Sequence, residues 1–471
     1  MSGIVGNKAA KDKLRYHVTA EMEARLRTIH VLRGPKEGAA LTTSVEYATS
    51  LGILIASFEE NYTKIIKGEP ITDTMTGKPA FAFSDTPVLV LGDISIWTGT
   101  AAMEKVSKDL GVPSPKYACL LPVGTNSVHF KFTDVYKDMI LNVCASADTD
   151  EGYRKYVTNS ETLVTIPNLN PFYLYEFDPN VRSLFIFHVW KALFSMTARW
   201  DYMVNVWPAC LDRKHAEFLQ THVANEEHFS VGPQFPPDSL AEDSGEFCIE
   251  SEEGETKAFL DKHVQDRGER SVIYISFGSL EYPPTEEQIR LVISTLNELD
   301  VPYILAHGQP PDHISAILPS LVQTSGGCGF LSTWVKQMEV LRHPAILGFI
   351  THGGSSSCME SLVCGVPMIQ WPSVWDQPEI ANEMDFRGVA HELIQFRGAH
   401  LHGKATARGP AIRGTTDAMH DELALAIQML RGPKGDVMRE KVRQLGRQIE
   451  GDIAPGGASY EMMMRIGRLC G

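Results

Sequence analysis

Residues 334–377, WVKQMEVLRHPAILGFITHGGSSSCMESLVCGVPMIQWPSVWDQ, constrain this 471-residue chain more than any other stretch. An aromatic loop leads into an apolar run at 345–350 that reads as a buried strand. A Gly/Ser turn at 352–357, a helix at 358–364 and a second apolar run at 366–371 follow, and the stretch closes on a loop ending in Asp376 and Gln377. That succession predicts a βαβ unit and therefore a parallel sheet. The turn of such a unit presents unpaired N–H groups at the positive end of a helix dipole, which suits a phosphate. Gly353 and Gly354 let the backbone approach an anion, and Ser355, Ser356 and Ser357 add hydroxyl donors. Glu360, one turn into the helix, can accept from a ribose diol, and Trp334 offers a face to a nucleobase. Together these residues point to a nucleotide-diphosphate site.

The same stretch resembles the signature segment of the UDP-dependent glycosyltransferases of family 1. The match runs without a gap, with Trp334, Gln337, Leu341, His343, Phe349, His352, Gly354, Ser357, Glu360, Gly365, Val366, Pro367, Met368, Pro372, Asp376 and Gln377 in register. The resemblance implies an α/β chain of the GT-B kind, two Rossmann-like domains with parallel sheets facing across a cleft. It implies that Trp334 stacks on uracil with Val335 beside it, and that Gln337 lies by the uracil and ribose. His352 and Ser357, with Gly354, Ser355 and Ser356 in the same turn, would hold the diphosphate, Glu360 the ribose, and Asp376 and Gln377 the sugar hydroxyls. Ser355 and Ser356 stand where the plant enzymes carry Trp and Asn, and Lys336 where they carry Pro. Taken singly, Trp334 could be a core aromatic, His352 a buried histidine and Glu360 a surface acid. Packing alone gives no reason for all of these residue types to fall at these offsets. His343 is expected to be structural.

Length favours two large domains, and 43% hydrophobic with 21% charged residues suits a folded protein with ample core. A net charge of −15 argues against nucleic acid or an anionic membrane as partner. The eight cysteines are scattered without zinc spacing, so no metal is expected and a reducing, cytoplasmic setting is. The start has no apolar signal core, and no apolar run reaches the ~20 residues of a membrane span. The animal members of the family end in such a span; this chain ends in MMMRIGRLCG.

In order, residues 1–33 read as an amphipathic helix leading into a strand at 29–32, and residues 44–67 as a second helix. Residues 87–91 read as a strand of the kind buried in a parallel sheet, before Gly92 and Asp93 and a helix at 98–110. In the family an aspartate after the corresponding strand orients the catalytic histidine, so Asp93 is the candidate catalytic carboxylate, with a loop carboxylate as the plain alternative. The family's histidine follows the first strand, near the chain start. No apolar strand ending in a Gly/His loop precedes Lys11, and the 86 residues before Pro87 are too few for the expected βα units of ~30 residues each. That strand and its histidine are therefore expected to be missing; His17 and His30 read as packing residues. Asp148-Thr149-Asp150 is a DxD triplet in a polar stretch, read as a solvated turn rather than a metal site. Residues 184–200 read as a mostly buried helix. The expected division is an acceptor domain over 1–233, a linker over 234–247, a UDP-sugar domain over 248–435 and bracing helices over 436–471. In the second domain, residues 271–277 read as a buried strand. In the family the turn after it faces the diphosphate, so the resemblance makes Ser279 a second candidate anion contact, with an ordinary turn serine as the alternative; Thr285 with Gln288 forms a capping box. The basic loop 399–415 is expected to be solvated.

The resemblance implies inverting transfer of a hexosyl group, with glucose as the expected sugar, from a UDP-sugar to a hydroxyl of a small lipophilic acceptor. With the histidine missing, either the start is misplaced or another group supplies the base. The alternative is a non-catalytic or partner-dependent UDP-sugar-binding protein. Acceptor identity and oligomeric state are not legible in the residues.

Overall fold

The structure, a computed structural model, describes residues 44–72, 79, 87–93, 99–146, 149–177, 185–223, 225–235, 251–278, 282, 284–308 and 310–469. The expected first helix and strand, His17, His30, the linker from 236 and Ser279 lie outside them. So does the side chain of Asp93.

The first half of the chain forms α1 (Ser44–Lys67), β1 (Leu89–Asp93), α2 (Gly99–Leu110), β2 (Lys116–Leu121), α3 (Thr125–Phe132), α4 (Asp134–Ser146), α5 (Asp150–Thr158), a hairpin of β3 (Leu163–Val164) and β4 (Phe172–Tyr173), α6 (Phe185–Met196), β5 (Tyr202–Asn205), α7 (Ala209–His222) and β6 (Glu227–Ser230). Its sheet is parallel in the order β1-β2-β5-β6. The apolar run expected to be a buried strand is corrected here: β1 begins two residues later, is paired only with β2 among the described residues, and leaves Leu91 52% exposed. Apolarity suggested a strand but could not show how many neighbours it would have. The helix expected to be mostly buried is half-buried instead: Phe187 and Leu193 enter the core while Lys191 and Ser195 face solvent. Of the DxD triplet, Thr149 and Asp150 start a helix, where Thr149 caps α5 by accepting from the Gly152 N–H at 3.1 Å; Asp148 lies outside the described residues.

The second half continues with α8 (Ser251–Arg267), β7 (Val272–Ser276), α9 (Glu286–Glu298), β8 (Tyr303–Ala306), α10 (Asp312–Ser315), α11 (Leu318–Gln323), β9 (Gly329–Ser332), α12 (Gln337–Arg342), β10 (Ile346–Thr351), α13 (Ser355–Val363), β11 (Met368–Gln370), α14 (Gln377–Phe386), β12 (Ala390–Glu392), α15 (Thr416–Arg431), α16 (Pro433–Ile453) and α17 (Ala458–Leu469). Its sheet is parallel in the order β12-β11-β10-β7-β8-β9. Both faces are covered, which is why the central strands β7, β8 and β10 are mostly apolar. Alternation along β7 sends Ile273 and Ile275 into one core with α9 and α15, and Val272 and Tyr274 into the other, with α13 and α14. The α9 capping box is complete, with Thr285 and Gln288 exchanging bonds at 3.2 and 3.0 Å. Among the described residues, no helix is long and apolar enough to cross a membrane.

The two sheets meet over a shared apolar core, where Trp207 and Leu211 of the first pack with Ile380, Met384 and Ile449 of the second. Met462, Met463 and Ile466 of α17 return to the first sheet beside Val204 and Phe229, and Ser459 Oγ accepts from the Ala209 N–H at 2.9 Å. The loop expected to be solvated is corrected as well. Leu401 and Ile412 are fully buried, Tyr175 donates to the Ala405 carbonyl, and Ala407 N–H donates to Glu176 at 2.8 Å. Arg397 joins Glu176 at 2.9 Å to Glu392 at 2.6 Å, and Arg408 pairs with Glu392 and with Asp385. Its basic residues looked solvated only because their partners lie far away in the chain.

Candidate nucleotide-sugar site

Strands β7 and β10 are neighbours whose connections leave in opposite directions, β7 toward β8 and β10 toward β11. This is a topological switch point, where the loops beyond the carboxyl ends of the strands open a crevice. Ser276 of β7 and Thr351 of β10 are in register, so the turns at Gly278 and at 352–354 share one level. His352 sits between them. A Cβ at Gly278, whose φ is +75°, would lie 2.8 Å from the His352 ring, and one at Gly354 would lie 2.4 Å from it. The glycines make room for the imidazole as well as for a ligand. Burial lowers the His352 pKa to about 4, against an opposing backbone hydrogen bond at Ser276. The ring is therefore neutral near pH 7 and can donate a hydrogen bond to an anion without carrying charge.

Helix α13 begins at Ser355, three residues earlier than the sequence suggests, and its cap Gly354 offers no side-chain acceptor. Its first N–H groups are thus available at the crevice, with Ser355 and Ser357 buried and Ser356 exposed around them. Gln337 opens α12 and donates to Ser357 Oγ at 3.2 Å and Glu360 Oε2 at 2.8 Å. Its carbonyl oxygen accepts from Tyr274 OH at 3.1 Å. Three residues singled out in the sequence thus form one network, and Tyr274 is the member that sequence reading missed. The available signal was its hydroxyl in an otherwise apolar strand. Val335 is buried beneath the loop, while Trp334 is 60% exposed, an unusual position for a large aromatic and suited to stacking on a ring. His343 is structural, accepting from the Ala345 N–H and lying 3.1 Å from Asp261.

Asp376 and Gln377 lie at the start of α14. Gln377 Oε1 accepts from the N–H groups of Ser373 and Val374, both at 2.9 Å, which leaves its amide nitrogen for a ligand. Asp376 Oδ2 accepts from the Gly124 N–H of the first domain at 3.0 Å. Burial raises the Asp376 pKa to about 6, held back by that N–H and by Lys131. No local residue pattern signals this contact across the interface. Of the other candidates, Asp93 is the last residue of β1, at the carboxyl end of the first sheet, and Ser279 follows Gly278.

Two facing Rossmann-like sheets, joined through a C-terminal helix that returns to the first, define the GT-B fold. Solved structures agree. The chain matches a UDP-glucosyltransferase from Polygonum tinctorium capable of glucosylating indoxyl, with a TM-score of 0.65 at 18% identity over 98% of this chain and 89% of that one. A UGT transferase from Siraitia grosvenorii in complex with UDP gives 0.63 at 18% identity, covering 92% and 89%. Residues 231–399 match the family model "UDP-glucoronosyl and UDP-glucosyl transferase". Among curated proteins, anthocyanidin 3-O-glucosyltransferase 7 of Manihot esculenta is 31% identical over 213 residues, 45% of this chain and 65% of the relative. UDP-glycosyltransferase eriJ of Hericium erinaceus is 30% identical over 208 residues, 42% of this chain and 40% of the relative. The matched stretch thus spans 40–65% of these two relatives' own lengths. Over residues 231–399, in its second half, the chain is thus similar to the UDP-glucoronosyl and UDP-glucosyl transferases.

Proposed function

We propose that the chain transfers a hexosyl group, with glucose the expected sugar, from a UDP-sugar to a hydroxyl of a small lipophilic acceptor, with inversion. The acceptor oxygen forms a bond to the anomeric carbon as the bond from that carbon to the diphosphate breaks, and the acceptor proton passes to a base. The observation that carries this reading is the bonded set of Gln337, Ser357 and Glu360 beside exposed Trp334 at the switch point. In this assignment uracil stacks on Trp334, and Gln337 and Glu360 meet the ribose. The departing diphosphate is received by His352, Ser355, Ser356, Ser357, the Gly354 turn and Ser279, and the sugar meets Asp376 and Gln377. A neutral imidazole and a row of fixed N–H groups stabilise a leaving diphosphate without reorganising as it departs. Asp93 is assigned to the acceptor side as the catalytic carboxylate. The names of the matched plant and fungal relatives, which are glucosyl- and glycosyltransferases, support the donor class.

The test is UDP release from UDP-glucose with a panel of lipophilic hydroxyl acceptors, with Asp93→Asn alongside. Acceptor-dependent release that the variant loses supports transfer with Asp93 in the assigned role. UDP binding without release from any acceptor would refute catalysis and leave a UDP-sugar-binding protein.

A further inference from the structure

The geometry points to Lys131 of the first domain as the residue that positions the donor-sugar loop 373–377 of the second. This rests on the assignment of Asp376 and Gln377 to the sugar. Lys131 lies in the last turn of α3 and is 4% exposed. Its ammonium donates to Ser127 Oγ at 2.6 Å, to Glu379 Oε1 at 2.9 Å and to the Trp375 carbonyl at 3.2 Å. Those bonds use all three of its donors. The last of them fixes the peptide that joins Trp375 to Asp376, the residue assigned to the sugar. Trp375 has a φ of +61°, a conformation that a bulky non-glycine residue keeps only when its surroundings hold it there.

The loop is therefore held from two sides. From its own domain, the Gln377 side chain ties back to Ser373 and Val374. From the other domain, Lys131 holds the Trp375 carbonyl and the Gly124 N–H holds the Asp376 carboxylate, while Asn126 Nδ2 donates to the Glu379 carbonyl at 3.0 Å. On the nucleotide side, the bonds that join Gln337 to Tyr274, Ser357 and Glu360, and Trp334 to Ser332, lie within the second domain. The sugar loop thus takes part of its support from the first domain, whereas the Gln337 network is tied within the second. Lys131 acts through the loop, as a positioning residue.

The test compares the Kd values of UDP and UDP-glucose by calorimetry for the whole chain and its Lys131→Met and Lys131→Arg variants. The methionine variant should bind UDP within about twofold of wild type and UDP-glucose about tenfold more weakly, because displaced contact groups lose most of their contribution. The arginine variant should recover part of that loss. Lys131→Met leaves Glu379 buried beside an apolar group, so the double variant Lys131→Met with Glu379→Leu serves as a folding control, since a packed apolar pair replaces a buried ion pair without loss. It should melt near wild type and keep the UDP-glucose defect. Equal changes for UDP and UDP-glucose, or wild-type UDP-glucose affinity in the double variant, would overturn the role of Lys131 alone. Failure of the wild-type chain to bind UDP would overturn the site assignment together with it.

Discussion

Arg397 is the place to test how firmly the two domains are joined. Its guanidinium is almost completely buried between Glu176 of the first domain and Glu392 of the second. Burial would raise the Glu392 pKa, but Arg408 and Arg397 more than reverse this and lower it from 4.5 to about 2. That net shift corresponds to about 3 kcal/mol; Arg408 and Arg397 share it once burial is overcome, and an even division assigns Arg397 about 1.5 kcal/mol. Its charge-assisted bond to Glu176 adds about 1.5–3 kcal/mol. Glu176 would keep the N–H groups of Tyr173 and Ala407 at 2.9 and 2.8 Å, so the lower end of that range applies. Arg397→Met should therefore cost about 3 kcal/mol, near the ~3–5 kcal/mol seen when one partner of a buried pair is removed.

Equilibrium urea unfolding of the wild type, Arg397→Met, Glu176→Gln and the double variant measures this, and the double-variant cycle isolates the coupling across the interface. Arg447→Met is the control. Its pair with Glu440 is 63% and 67% exposed and should contribute under about 1 kcal/mol. The acid limb gives an independent check: the Glu392 pKa is depressed, so its contribution is complete above about pH 4.5 and disappears as the pH falls toward 2. The gap between wild type and Arg397→Met should narrow over that window. A cost below about 1 kcal/mol, or strictly additive single variants, would refute the argument that this network joins the domains.

Three further outcomes are expected. Trp334→Ala should weaken UDP binding about 5–150-fold, the range for losing one stacked base, while leaving the melting temperature unchanged because the ring is exposed; calorimetry and a thermal scan check both. The pKa of free His352 is about 4, and a bound diphosphate should raise it, so affinity for UDP-glucose, whose diphosphate stays ionised, should increase as pH falls from 7 to 5. His352→Phe should remove that rise and leave only the titration of Asp376, near pH 6. Burial raises Asp212 to about 7, so its ionisation disfavours the fold as pH rises from about 4 through 7. Asp212→Asn should be more stable than wild type at pH 8, by up to about 4 kcal/mol, with the gap closing toward pH 4 in thermal melts; a less stable variant at pH 8 would contradict this.

Most elements, and the grouping of Trp334, Gln337, Ser357 and Glu360, were legible in the residues alone. The apolar runs at 271–277 and 345–350 are buried strands because both faces of a parallel sheet are covered, and their turns carry the glycines that admit His352. Trp334, Gln337, Ser357 and Glu360 lie within 27 residues, so one strand–turn–helix unit brings them together and spacing is enough to show it. The contacts that hold Asp376 and its loop from the first domain became visible with the docked sheets alone. Asp376 meets Gly124, Lys131 meets Glu379 and Arg397 meets Glu176 across separations of 221–252 residues. No periodicity or local pattern encodes contacts of that kind, because they arise when separately folded sheets dock. The same reason explains β1 and the basic loop. Apolarity and charge are properties of a segment, whereas an exposed sheet edge or a buried arginine depends on what the rest of the chain brings beside it.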